Sequence, residues 1–281
     1  MSEVLVIGST GTTGSRVAAG LAARDVPVRL ATRTPRRPGQ VRFDWTDPDT
    51  HRSALHGADA VYLIAPIGVA DPAPLVEPLL HDAVEAGVRR IVLLSSSAIT
   101  DETPGLGALP RQVRTIIPEW TVLRPSWFMN NFTGDHPVAD GVRTGEIVTA
   151  TGSGRVGFVD AEDIAAVAVR ALTDRQPHNT DHLITGPDAL SYDDAAAIIT
   201  EVTGRPVAHR AVGVAELLGR LSAYPPDFAA ILAALDVAIG AGAEDRVTET
   251  VTRVTGRPPR DFRAFVRAEL RRSIMAGNDH R

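Results

Sequence analysis

The chain has 281 residues, 44% of them hydrophobic and 22% charged, with a formal net charge of −5. That length suffices for one large domain or two closely joined ones with an ample core, and the negative balance gives no electrostatic reason to expect a nucleic acid partner. Cysteine is absent, which excludes disulfides, thiolate nucleophiles and Cys-based zinc sites. Lysine is absent too: all 29 Lys+Arg positions are arginine, a bias that fits GC-rich coding. The opening MSEVLVIGST reads as a strand carrying Glu3 rather than a signal peptide. No apolar run approaches the roughly 20 residues needed to cross a membrane, so a cytoplasmic protein without a membrane partner is expected.

In chain order, residues 3–7 form an apolar run that ends in GSTGTTG and passes into a helix-like stretch with Val17 and Leu21 at helical spacing. Val26–Ala31 and Val41–Phe43 read as further strands, and Arg52–His56 as a brief helix before the buried-type strand Ala60–Ala65. The next helix starts near Pro72 and Pro74, with Val76, Leu79, Leu80, Ala83 and Val84 as its apolar face, and Pro78 is expected to kink or delay it. Val88–Leu94 and Trp120–Leu123 are the fifth and sixth strands. Asp160 looks like a helix N-cap with Asp163 in the capping-box position. Ile164, Val167, Ala168, Ala171 and Leu172 follow as an amphipathic stripe. His182–Thr185 reads as one more strand and Tyr192–Val202 as a helix ending at Gly204, after which helical pieces break at Pro225-Pro226 and Pro258-Pro259. The last residues, 276–281, are expected to fray. This alternation predicts parallel strands with right-handed crossovers. The expected division is a nucleotide-binding region over 1–150 and a smaller, interleaved substrate or cap region over 151–275.

Gly8, Gly11 and Gly14 form G-x-x-G-x-x-G between the first strand and the first helix. Glycine serves there because the turn is tight and the backbone must approach a pyrophosphate, which the helix N-terminus then meets with free N–H groups. Ser9, Thr10, Thr12 and Thr13 add hydroxyl donors around the same turn. The alternative is a glycine-rich turn without a ligand. A cofactor with a free ribose 2′-hydroxyl usually meets an Asp or Glu about 20 residues further on. Here the second strand ends Ala31-Thr32-Arg33, and Arg33 can clamp a 2′-phosphate, which favours NADPH; Arg36 and Arg37 read as a solvated basic turn.

With VLVIGSTGTTG, ATRT, VRFDW, LIAP at 63–66, LLSSS at 93–97, TVLRPSWFMNNF at 121–132 and FVDAEDIA at 158–165, the chain resembles the NmrA-like atypical short-chain dehydrogenases over nearly its whole length. The resemblance implies an α/β Rossmann fold, a doubly wound parallel sheet with a small, mostly helical C-terminal cap. It also implies that Gly8–Gly14, Arg33, Asp44, Ala65 and Pro66 line the cofactor, and that residues after the sixth strand close over nicotinamide and substrate. Such proteins include quinone reductases, reductases of iminium or enone natural products, isoflavone-type reductases and redox sensors without turnover. The usual Tyr-x-x-x-Lys pair of short-chain dehydrogenases, in which an ammonium lowers the phenol's pKa, cannot form without lysine; the available phenols are Tyr62, Tyr192 and Tyr224. The segment AITDETPGLGALPRQVRTIIPE departs from relatives that carry a longer helix there. It offers only Asp101 and Glu102 near the serines, and it lacks the lysine of isoflavone-reductase-type acid catalysis.

Ser95, Ser96 and Ser97 fall at the carboxyl end of the fifth strand, where open α/β sheets place ligands. Ser95 or Ser97 is expected to hydrogen-bond a substrate carbonyl or the nicotinamide carboxamide, helix capping being the competing role. Trp127, Phe128 and Met129 offer an apolar wall to a flat acceptor, with Asn130 and Asn131 able to orient a carbonyl; domain core is the alternative. His81 and His136 read as surface or capping residues, and no histidine pair has metal-ligand spacing. Tyr224, beside Pro225-Pro226, reads as structural or as part of a lid. The expected function is NADPH-dependent reduction of an electron-poor, planar conjugated small molecule (a quinone, enone or iminium ion) by a monomer or homodimer without a metal. Aromatic polyketide or antibiotic biosynthesis, where a reduced quinone reacts with oxygen, is a compatible setting. The rivals are an NADP-sensing regulator without turnover and a cofactor-assisted isomerase or epimerase.

Overall fold

Unbroken burial along the first strand, Val4 through Ile7, places it at the centre of the computed structural model, which describes residues 3–66 and 68–278. The elements in chain order are β1 (Val4–Val6), α1 (Gly14–Ala22), β2 (Val28–Thr32), β3 (Gln40–Arg42), α2 (Asp49–Leu55), β4 (Ala60–Ile64), α3 (Ala73–Glu85), β5 (Arg90–Leu94), α4 (Ala108–Ile116) and β6 (Glu119–Pro125). There follow a 3₁₀ turn (Met129–Phe132), α5 (Pro137–Thr144), β7 (Glu146–Thr149), β8 (Arg155–Val156), α6 (Ala161–Thr173), β9 (Thr180–Ile184) and β10 (Leu190–Ser191). The chain closes with α7 (Tyr192–Thr203), β11 (Ala208–Ala211), α8 (Val214–Arg220), α9 (Pro226–Gly240), α10 (Thr250–Thr255) and α11 (Phe262–Asn278). Of the tail expected to fray, residues 279–281 lie outside the described residues.

Among the described residues a seven-stranded sheet runs in the order β3-β2-β1-β4-β5-β6-β9, with parallel pairing from β3 across to β6. This is the doubly wound order, in which the direction of winding reverses between β1 and β4 and the loops after those two strands flank a ligand crevice. Side chains alternate across the pleat. Leu5, Ile7, Val61, Leu63, Ile91 and Leu93 form one face of the core with Ala54 and Leu55 of α2, Leu79 and Leu80 of α3 and Val113 of α4. Helices α1 and α6 pack together, at a point where a Cβ on Gly20 would come within 3.0 Å of Val169.

The stripe of α6 is buried as the spacing predicts. On α3 the pattern holds for Val76, Leu79, Leu80 and Ala83, but Val84 is 43% exposed, one position past the buried face. Pro78 does not delay that helix, which runs unbroken from Ala73 through it to Glu85; the proline removes one intrahelical hydrogen bond, offset by the buried face on either side. Arg90 is buried and ties β5 to the end of α6: it pairs with Glu119 at 2.7 Å and donates to the carbonyls of Leu172 and Asp174 at 3.2 and 2.7 Å. A guanidinium there satisfies helix C-terminal carbonyls and complements the helix dipole.

The chain divides into two units, Met1–Pro125 with Ala161–Leu183 and Arg253–Gly256, and Ser126–Asp160 with Ile184–Thr252 and Arg257–Arg281. The first unit runs to the end of β6 and takes up α6 and most of β9 after the second unit's first segment: the apolar stripe of α6 covers the sheet and β9 extends its edge. The second unit has its own core, in which Phe132, Phe158, Tyr192, Phe262 and Phe265 meet. It contains a parallel pair, β7 with β11, and an antiparallel pair, β8 with β10. Its helix α7 opens on a capping box between Ser191 and Asp194 and closes at Gly204 with φ 71°.

Candidate cofactor site

The loop after β1 is built from close backbone approaches. Gly8 has φ +78°, and a Cβ there would lie 2.8 Å from Ile64 of β4. A Cβ on Gly14 would overlap the Gly8 carbonyl, so the first turn of α1 can fold back onto the loop only without one. Between these glycines Thr10, Gly11 and Thr12 are exposed. Helix α1 has no side-chain cap and no acidic residue in its first turn. Its N–H groups and the positive end of its dipole are thus presented without an internal anion, which suits a pyrophosphate.

The four hydroxyls of the loop do not share one role. Ser9 is buried and its Oγ donates to the Ala31 carbonyl of β2 at 2.8 Å. Thr13 is buried and its Oγ1 accepts the Tyr62 phenol of β4 at 2.9 Å. The side chains of Ser9 and Thr13 are therefore anchors of the loop rather than donors toward a ligand, a correction to the sequence-based expectation; their backbone N–H groups stay with the turn. Thr10 and Thr12 keep exposed side chains.

Arg33 follows β2, exposed, and makes no hydrogen bond or ion pair among the described residues. Its charge reaches Asp44, whose carboxyl is held below its usual range first by the Thr46 backbone N–H, at 3.0 Å, and then by the Thr46 hydroxyl, at 2.8 Å. By contrast the neighbouring Arg36 and Arg37 use their backbone N–H groups on the Gln40 side chain, as a local turn would. Ala65 and Pro66 follow β4, half-buried, across the winding reversal from the glycine loop. At the end of β5, Ser95 is half-buried, and its hydroxyl makes no hydrogen bond among the described residues. Ser96 Oγ accepts the Ala98 N–H at 3.2 Å, and Ser97 is buried with its N–H on the Pro125 carbonyl at 2.9 Å. Ser95 is thus the open hydroxyl of the run, and Ser97 is committed to the turn.

The segment after β6 lies in the second unit. A 3₁₀ turn has three residues per turn, so Met129 and Phe132 share a face. That face is buried: both are 1% exposed and sit in the aromatic core. Met129 is therefore core rather than a wall open to an acceptor, which corrects the expectation. Trp127, Phe128, Asn130 and Asn131 are half-buried. Phe128 bridges to Val159, and its carbonyl accepts the Asn131 N–H at 3.0 Å.

No phenol is set up as an acid. Tyr62 and Tyr192 are fully buried, and burial pushes both phenols up, away from a usable proton donor. Tyr224 is 36% exposed beside Phe228. Among the described residues no group of three His, Asp or Glu could hold a metal. His136 caps α5, its Nδ1 accepting the Val138 N–H at 3.2 Å, and His81 is exposed. Sequence reasoning missed the Tyr62–Thr13 bond, although a lone phenol in the otherwise apolar strand AVYLI had to find a partner. It also missed a chain in the second unit, Asp193–His209–Thr149, with contacts of 3.2 and 2.8 Å. Its residue types match a nucleophilic triad, but Thr149 is 3% exposed and hydrogen-bonded to Thr151 at 2.7 Å, closed to a substrate.

Fold and loop together define a dinucleotide-binding α/β protein. A family model described as NAD(P)H-binding matches residues 8–175, and the chain belongs to that family. It is 45% identical over 272 residues to the uncharacterized oxidoreductase YesF of Bacillus subtilis (strain 168), covering 95% of each chain. It is 37% identical over 279 residues to agroclavine dehydrogenase of Claviceps fusiformis, covering 94% of this chain and 96% of that protein. Among solved structures, the Citrobacter sp. triphenylmethane reductase complexed with NADP(H) shares the fold with a TM-score of 0.81 at 22% identity, over 96% of this chain and 100% of that one. The NmrA-like resemblance holds in fold, which the chain shares with NmrA in complex with NAD at a TM-score of 0.77 and 16% identity, and the chain is an NAD(P)H-dependent oxidoreductase. No helix among the described residues is long and apolar enough to cross a membrane.

Proposed function

We propose that the protein uses NADPH to reduce an electron-poor conjugated small molecule of the iminium, quinone or enone type. The observation that carries this reading is the lack of an activated proton donor: the chain has no lysine, two of its three phenols are buried, and the third is at the surface. When bound, NADPH supplies a hydride. An iminium ion that takes a hydride at carbon becomes a neutral amine, while a quinone that takes one at oxygen or an enone that takes one at its β-carbon becomes a hydroquinone anion or an enolate that solvent protonates, so none of them needs an acid from the protein. The residues then contribute proximity and orientation. Relatives named for agroclavine and for triphenylmethane dyes suit such acceptors. The preference for NADPH rests on the free guanidinium of Arg33 and on a second strand that ends without a carboxylate. Gly8 through Gly14, with the backbone of Ser9 and Thr13, would hold the pyrophosphate. Asp44, Ala65, Pro66 and Ser95 would line the rest of the dinucleotide, and Trp127, Phe128, Asn130 and Asn131 would contact the acceptor.

Anaerobic stopped-flow oxidation of NADPH against a panel of iminium ions, quinones and enones tests this. Oxidation well above background by at least one class, in single turnover, is the expected result. NADPH that binds but stays unoxidised by the whole panel would overturn the reductase reading and leave a sensor in its place.

A further inference from the structure

We infer that Tyr62 is a positioning residue for the dinucleotide, holding the first turn of α1 through Thr13 so that the turn's N–H groups are correctly placed for a pyrophosphate. The inference rests on NAD(P)H binding and not on the class of acceptor. Tyr62 lies in the middle of β4, between Val61 and Leu63, and is 0% exposed. A hydroxyl buried that deeply is costly without a partner. The partner is Thr13 Oγ1 at 2.9 Å, itself on a residue only 2% exposed and 49 positions away in sequence. Phenylalanine would fill the same apolar space, so packing does not require the hydroxyl. What the hydroxyl adds is a fixed distance between β4 and the start of α1. Ser9 does the same on the other side, through the Ala31 carbonyl of β2 at 2.8 Å. The loop is thereby pinned at both ends, and the exposed segment Thr10–Thr12 lies between the two pins. Backbone bonds hold the Gly11 N–H on the Gly8 carbonyl at 2.9 Å and the Ser15 N–H on the Gly11 carbonyl at 3.1 Å, and with no side-chain cap on α1 the two anchors supply the side-chain support that sets where this turn sits against β2 and β4. Hydrogen bonds to a phosphate weaken steeply when distance and angle drift.

The test compares Tyr62→Phe, Thr13→Val, Thr13→Ser and the double variant Tyr62→Phe/Thr13→Val in the full chain. Dissociation constants for NADPH and NADH come from calorimetric titration and stability from urea unfolding. Tyr62→Phe is expected to weaken both cofactors by the same factor, about fivefold or more for one lost hydrogen bond, because the pyrophosphate is common to them. Thr13→Ser, which keeps the acceptor, is expected to bind as wild type. Thr13→Val strands the buried phenol and should lower the unfolding midpoint. The double variant removes both hydroxyls and should recover the midpoint while its dissociation constants stay raised. Wild-type affinities in the double variant, unchanged affinities in Tyr62→Phe, or a loss confined to NADPH would each overturn the positioning role, and the double variant decides the matter even where a single variant folds poorly.

Discussion

His178 and His182 face each other across a 2.9 Å contact between Nδ1 of the first and Nε2 of the second, and the far nitrogen of His178 meets Asp174 at 3.1 Å. The inner end of this chain, His182 Nδ1, is buried without a hydrogen bond. Burial, followed by the charges of His178 and Arg253, lowers the His182 pKa from 6.5 to about 4. An unfolded chain therefore takes up this proton near pH 6.5, whereas the folded chain refuses it until about pH 4. Between those values the unfolded state binds more protons, so stability rises with pH and is lost on acidification. The full shift corresponds to about 3 kcal/mol. Urea unfolding at pH 7 and pH 4.5 should show a loss of this order in the wild type and a clearly smaller one in His182→Asn; equal losses would show that His182 does not carry the linkage.

Arg33 directly follows β2, exposed and without a hydrogen bond or ion pair among the described residues, and the strand ends without a carboxylate for a 2′-hydroxyl. Arg33→Ala should remove most of the NADPH preference, an effect on the order of 1.5–3 kcal/mol for a charged hydrogen-bonded contact. Titration of both cofactors into wild type and variant measures it. Equal wild-type curves for NADPH and NADH would end the assignment.

The remaining phenols are expected to be dispensable for chemistry. Tyr192 lies in the aromatic core of the second unit and Tyr224 at the surface. Tyr192→Phe and Tyr224→Phe should each keep the single-turnover hydride-transfer rate within about tenfold of wild type, or roughly 1.4 kcal/mol of barrier. A hundredfold loss in a folded variant would reveal an acid that the geometry does not show.

Phe128 and Met129 are adjacent but should respond differently. Phe128 is half-buried, and Phe128→Ala is expected to lower kcat/KM about tenfold or more with a nearly unchanged NADPH dissociation constant. Met129 is core, so Met129→Ala should cost about 2–5 kcal/mol of stability. Steady-state kinetics, titration and unfolding on the two variants separate these outcomes; the reverse pattern would exchange the two roles.

What the sequence by itself determined is local or periodic. The glycine spacing, the run of parallel strands and the stripe from Ile164 to Leu172 are each legible because a backbone turn and a buried face constrain residue type at short range. The absence of lysine likewise ruled out the Tyr-Lys pair without any structure. Only the tertiary structure decided which hydroxyl points where. Ser9 finds Ala31, and Tyr62 finds Thr13, across 22 and 49 residues, because parallel strands lie side by side only once crossover helices have packed. The same holds for β9 and α6: strongly patterned in sequence, they read as the start of a second region, yet they complete the sheet of the first. Met129, apolar and next to two aromatic residues, could not be told from a substrate wall until the three-residue period of its turn aligned it with Phe132 in the core. Periodicity fixes which face is buried; only packing fixes what it is buried against.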